Sequence, residues 1–143
     1  MIILIIIFLV YKILAPKKTD LSQSIPRPTS SSLDKPTGKK MVVSNVSVEN
    51  IYNSELGTNS RGDILFSQSE NYQIFYFSQE KQFLISIIGA PFDQKRILAE
   101  QNFLKILKIN EKDACKLNTV VNTPSFANPK EAGINYKLSF CDK

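Results

Sequence analysis

YQIFYFSQEKQFLISII, residues 72–88, decides the fold of this chain. Tyr72–Ser78 and Gln82–Ile88 are dominated by aromatic and β-branched side chains, which favour strands. Gln79, Glu80 and Lys81 make a short polar break between them, so the two segments pair as an antiparallel hairpin. Apolar side chains fall on both faces of this hairpin. That pattern places it in the middle of a sheet rather than at an edge.

Toward the C-terminus, Gly89, Ala90 and Pro91 end the second strand. Asp93 has the chemistry of a helix N-cap, and residues 93–108 read as an amphipathic helix. Ile97, Ala99, Phe103, Leu104, Ile106 and Leu107 share one half of the wheel; Gln101, Asn102, Lys105 and Lys108 share the other. The apolar half is expected to lie on the hairpin. Glu100 falls inside the apolar arc, one turn after Arg96, and reads either as a shielded acid or as an ion pair at the rim of the core. Asn110 caps a further short turn, with Asp113 three residues on. Lys116–Thr123 is a third strong strand ended by Pro124. Ser125–Asn135 is a loop, and Tyr136–Cys141 (YKLSFC) is a closing strand expected to pair with the third. Toward the N-terminus, Ile64–Ser67 is a short strand, Asn53–Asp63 a polar loop and Met41–Val48 a first strand. The fold class is therefore α+β: an antiparallel sheet ordered hairpin–helix–hairpin, ββαββ-like with extra N-terminal strands, and one helix on one face.

The chain has two cysteines, Cys115 and Cys141. They flank the start of one expected strand and the end of the next, and those ends meet in an antiparallel hairpin. A Cys115–Cys141 disulfide is within reach and would stabilise a small domain by about 3–4 kcal/mol. Pairing 115 directly with 141 would put Leu117 and Leu138 on opposite faces, so the hairpin would need a bulge or a shift. The alternative is a pair of buried free thiols. A disulfide persists in an oxidising compartment. Two cysteines with no histidine cannot complete a zinc site.

The first fifteen residues, MIILIIIFLVYKILA, are apolar except for Lys12. A cleaved signal would carry basic residues before the run and a small-residue cleavage site after it, but nothing basic precedes Ile2 and Ala-Pro-Lys-Lys at 15–18 is a poor cleavage site. A buried core helix would need a polar face and a packing partner, and the run has no polar face and is followed by a Pro/Ser-rich stretch. A single-pass transmembrane anchor fits residues 1–15 better, with Lys12 reaching the headgroups. The run is a few residues short of the ~17–20 needed to cross, which is consistent with a start upstream of Met1. Residues 16–40 are rich in Pro, Ser, Thr and Lys, lack periodicity and read as a disordered tether. Residues 41–143 match one small domain. Lys12, Lys17 and Lys18 follow the apolar run, which by itself favours a cytoplasmic C-terminal part; the cysteine pair favours the opposite orientation. The net charge is +5, and all of it belongs to residues 1–40, which carry seven basic and two acidic residues. The remainder is neutral, which argues against a nucleic-acid partner.

Catalytic signals are few. With no histidine in the chain, Ser-His, Cys-His and His-ligated metal chemistry are excluded. No phosphate-binding glycine motif is present. There is no tryptophan, which weakens a sugar-stacking role, although Tyr72, Tyr76 and Tyr136 remain. Arg61-Gly62-Asp63 spells an adhesion tripeptide but is also ordinary turn chemistry. Asn45-Val46-Ser47 has the form of a glycosylation acceptor and is read as chance. No catalytic, cofactor-binding or metal residue is assigned, and no cofactor is expected.

The AEQ-FL helix around Ala99–Leu104, the EKDACKL turn at 111–117 and the closing LSFC at 138–141 carry a resemblance. Over residues 91–141 the chain resembles uncharacterised single-pass anchored proteins of ultra-small candidate-phylum bacteria. The resemblance implies an envelope protein with a ββαββ-like domain and implies no activity. The apolar N-terminus also invites comparison with type IV pilins, but the run lacks a glutamate and passes into a tether rather than a long helix. The expected function is a non-catalytic module, anchored through residues 1–15 in the cell membrane with its C-terminal domain outside the cytoplasm. It would bind an envelope protein or a cell-wall polymer. The alternatives are a pilus-like or secretion-complex subunit, and an envelope enzyme using carboxylates or thiols.

Overall fold

The computed structural model describes residues 35–141. The anchor read at 1–15 and the tether up to residue 34 lie outside the described residues. Among the described residues no helix is long and apolar enough to cross a membrane.

Two sheets form. β1 (Lys40–Val43) and β2 (Val46–Glu49) make a two-stranded antiparallel hairpin. The single strand expected over 41–48 is thus folded in half. Ser44 and Asn45 both take positive φ, 49° and 64°, which is the signature of a tight two-residue hairpin turn. After a 3₁₀ turn at Ile51–Ser54, five strands follow in spatial order: β3 (Gly57–Thr58), β4 (Ile64–Gln68), β5 (Tyr72–Phe77), β6 (Gln82–Ile87) and β7 (Asn118–Asn122). β5 and β6 are the hairpin expected from 72–88, and both are interior strands.

The sheet departs from expectation at its last strand. β7 pairs with β6 in parallel, Gln82 opposite Asn118 through Ser86 opposite Asn122. The second antiparallel hairpin does not form. Residues 136–141 contribute one bridge, Tyr136 to Val121, and then fold back in a turn closed by Cys141 N–H to the Leu138 carbonyl at 3.0 Å. The reason is geometric. α1 (Phe92–Leu107) spans 16 residues, or about 24 Å at 1.5 Å per residue. That is long enough to return the chain to the end of the sheet where β6 began, so the next strand runs the same way. The fold is α+β with a mixed sheet.

α1 begins one residue before the expected cap. Its N-cap is Pro91, without a side-chain cap, and Asp93 sits in the first turn. The buried stripe is Phe92, Ala99, Glu100, Phe103 and Leu107. Ile97, assigned to the apolar half, is 51% exposed, so the stripe is narrower than the wheel suggests. The expected short turn is α2 (Glu111–Ala114), and the Asn110 side chain caps it by accepting from the Asp113 N–H.

The core lies between α1, the β1–β2 hairpin and one face of the five-stranded sheet. Ile64, Ile74, Phe83, Ile85, Phe103 and Val48 are fully enclosed there. The core begins at Met41, but hydrogen bonds tie the preceding residues to the domain as well. The buried Asn50 donates from Nδ2 to the carbonyls of Pro36 and Gly38, and its backbone N–H donates to Lys39. Residues 36–39 are therefore bound to the domain rather than free in a tether.

Gly89 follows β6 at a close approach. The N–H groups of Ile88 and Gly89 both donate to the Asn71 carbonyl at 2.9 Å. A Cβ on Gly89 would lie 2.6 Å from Asn71 Oδ1 and 3.1 Å from Asn71 Cα. Gly89→Ala should therefore cost roughly 1–3 kcal/mol by overpacking. An unchanged melting temperature would show that the 69–71 turn yields freely.

Candidate interaction surface

Glu100, the two cysteines and Asp63, singled out in the sequence, are each engaged in structure, whereas Asn45 is exposed at the β1–β2 turn. Glu100 is 2% exposed. Its Oε1 accepts from Arg96 Nε at 2.8 Å and from the Ser139 N–H at 2.9 Å, and its Oε2 accepts from the Ser139 hydroxyl. Arg96 also donates to the Lys137 carbonyl and lies over the Tyr136 ring at 5.2 Å. The pair is a clasp for the C-terminal segment, with the carboxylate saturated by its partners. Cys115 and Cys141 form a disulfide beside it, with Cα atoms 5.5 Å apart. Because there is no second hairpin, the conflict between Leu117 and Leu138 disappears, and both are buried.

Asp63 of the Arg61-Gly62-Asp63 tripeptide is 7% exposed and is held by Arg61 at 3.0 Å and by Asn59 Nδ2 at 2.8 Å. This is a closed turn, not a displayed carboxylate. Tyr72 and Tyr76 are core residues, and burial pushes the Tyr76 hydroxyl up to about 12. At the surface, Lys35 and Thr58 donate to Glu55 and hold its carboxyl below the usual range. Among the described residues no group of three or more metal-ligating side chains stands together.

The remaining feature is the second face of the five-stranded sheet, opposite α1. Register places Leu65, Phe75, Leu84 and Val120 side by side across β4, β5, β6 and β7. Residues directly paired on neighbouring strands share a face, so these four make one continuous apolar row. Phe77 extends it along β5, its ring parallel to that of Phe75 with centroids 6.5 Å apart. An open groove of about 420 Å³ lies over Leu65, Phe75, Phe77 and Leu84, with Gly57, Thr58, Asn59 and the Arg61-paired Asp63 at its rim.

On one side of the row stand Gln68, Gln73, Ser86 and Asn122, and on the other Gln82 and Asn118. Gln82 Nε2 donates to Asn118 Oδ1 at 3.3 Å. No Lys, Arg, Asp or Glu occupies a strand position on this face, although charged residues make up 22% of the chain. Among the described residues no helix or second sheet packs on it.

No protein-family model, curated protein or solved structure matches this chain. The surface is therefore read from its own chemistry. Sequence reasoning noted that both faces of the 72–88 hairpin are apolar and inferred an interior position. The interior position is observed, but only one apolar face is covered within the chain. The overlooked signal was the alternation Leu65, Phe75, Phe77 and Leu84, for which the described residues offer no second long helix, since α2 is only four residues.

Proposed function

We propose that this chain is a non-catalytic binding module of the cell envelope, anchored by residues 1–15 and displayed outside the cytoplasm, with the open face of its sheet as the docking surface. The observation that carries this reading is the uncharged apolar row Leu65–Phe75–Leu84–Val120, half-buried and flanked by amides. Interface centres are depleted in charge and enriched in aromatic residues, and this face has both properties. The Cys115–Cys141 disulfide supports an oxidising compartment. The apolar run at residues 1–15 supports the anchor.

The test is a photoreactive residue placed at Phe77 of the full chain in its native host, with a control probe at the exposed Leu98 on α1. Cross-linked adducts from position 77 and none from position 98 are expected. Equal labelling at both positions, or none at 77, overturns the reading. Protease shaving of intact cells carrying a C-terminal tag tests the orientation, and a fully protected tag overturns it.

A further inference from the structure

We infer that Asn45 is the acceptor of an N-linked glycan, added outside the cytoplasm by a membrane-bound transferase from a polyprenyl-pyrophosphate sugar donor. The inference rests on the extracytoplasmic placement proposed above and assigns a modification to a different part of the domain from the docking face.

Asn45, Val46 and Ser47 form the acceptor pattern, an asparagine with a hydroxyl two residues on and no proline between. No other asparagine of the chain has Ser or Thr at that spacing. The pattern needs an exposed, protruding backbone to enter an enzyme, and a strand running unbroken from 41 to 48 would not give one. The structure puts Asn45 at the tip of the β1–β2 hairpin instead. Val43 and Val46, the last ladder pair, are buried and fix the base of the turn. Ser44 and Asn45 stand beyond them, both exposed. A two-residue turn makes its flanking pair a hydrogen-bonded one, and the alternation of the ladder then leaves Ser47, opposite Val42, unbonded to β1. Ser47 is also exposed, so its N–H, carbonyl and hydroxyl are open to a second protein.

The side chains separate this asparagine from a structural one. Positive φ accounts for an Asn in the turn, but Gly would serve there equally, and the turn places no demand on Ser47. Among the described residues neither the Asn45 carboxamide nor the Ser47 hydroxyl has a hydrogen-bond partner. Other asparagines are committed to the fold. Asn50 Nδ2 donates to the carbonyls of Pro36 and Gly38, Asn59 Nδ2 to Asp63, and Asn128 Nδ2 to Gly89 and Thr123. Transfer forms a bond from Asn45 Nδ2 to the anomeric carbon of the sugar, breaks that carbon's bond to the pyrophosphate oxygen and releases one Nδ2 proton. Nothing is oxidised or reduced. Because Nδ2 holds no partner, attachment breaks no hydrogen bond, and the bulky sugar extends into solvent. Donor and transferase both reside in the membrane, where an anchor at residues 1–15 keeps the acceptor.

The test is mass spectrometry of the full chain purified from membranes of its native host. Trypsin cuts after Lys40 and Arg61 and releases the peptide 41–61. A sugar adduct on this peptide, localised to Asn45 by fragmentation, is expected. Asn45→Gly, which suits the positive φ of the turn, and Ser47→Ala should each abolish the adduct. Ser47→Thr should keep it. Thermal melts establish that all three variants remain folded. A peptide found only unmodified overturns the inference, and so does an adduct that survives Ser47→Ala, because the hydroxyl is then not what is recognised. The shaving experiment separates this inference from the placement beneath it. An unmodified peptide from a chain whose tag is cleaved from outside removes the glycan and leaves the placement standing. An unmodified peptide from a chain whose tag is fully protected removes both.

Discussion

Phe83→Ala should destabilise the domain by about 3–5 kcal/mol, the range for deleting a fully buried aromatic ring. Phe83 is 0% exposed and stands where the sheet meets α1. Its ring contacts those of Phe66 edge-on at 6.0 Å, Tyr76 at 4.8 Å and Phe103 of α1 at 5.2 Å. Those three rings belong to β4, β5 and α1, so no single segment can collapse into the space left behind. Small domains hold only about 5–15 kcal/mol in total, so the variant should be largely unfolded well below the parent's melting temperature. Urea unfolding checks this through the shift in midpoint at constant slope. Phe83→Leu should recover most of the loss. A shift of under about 1 kcal/mol for the alanine variant would mean that the ring cluster is not what joins helix to sheet.

Replacing both cysteines, Cys115→Ser with Cys141→Ser, should cost about 3–4 kcal/mol. The bond closes a loop with a sequence separation of 26 residues, and the chain-entropy model assigns most of its effect to the unfolded state. The folded state keeps other holds on the same segment. Leu138 is buried, Glu100 binds Ser139 through both its N–H and its hydroxyl, and Arg96 binds the Lys137 carbonyl. The variant should therefore fold to the same structure with a melting temperature lower by about 15–25 °C. Thermal melts of the parent with and without reductant provide the same comparison without mutation. A loss of native structure in the reduced protein at room temperature would show that the clasp depends on the bond, and the entropic account would fail.

The central hairpin was legible because Tyr72–Phe77 and Gln82–Ile87 combine strong strand chemistry with a short polar break. α1 and the Asn110 cap were legible for similar local reasons. What was not legible was direction. Nothing in Asn118–Asn122 states whether it pairs parallel or antiparallel with a neighbour, since its β-favouring centre Thr119–Val121 suits either ladder. The deciding information lay in the length of α1. The first hairpin was hidden by its brevity, because the polar gap inside MVVSNVSV is only the two residues Ser44 and Asn45. Pairing Cys115 with Cys141 was the right expectation reached through a hairpin that does not exist; the C-terminal turn beneath α1 brings them together instead. The docking face was half-legible. Its apolar residues were read as proof of a central strand, and centrality accounts for their backbone pairing but not for the solvent on their far side.

The two margins of the sheet bear on how far association can go. β3 is two residues long, and β7 exchanges both backbone hydrogen bonds of Val121 with Tyr136 at 2.8 Å. Open strand edges are where sheets recruit further strands and grow into fibrils. Here one margin is too short to template an added strand, and the other is blocked at its midpoint. A domain with an apolar sheet surface is thus guarded against polymerising through its backbone.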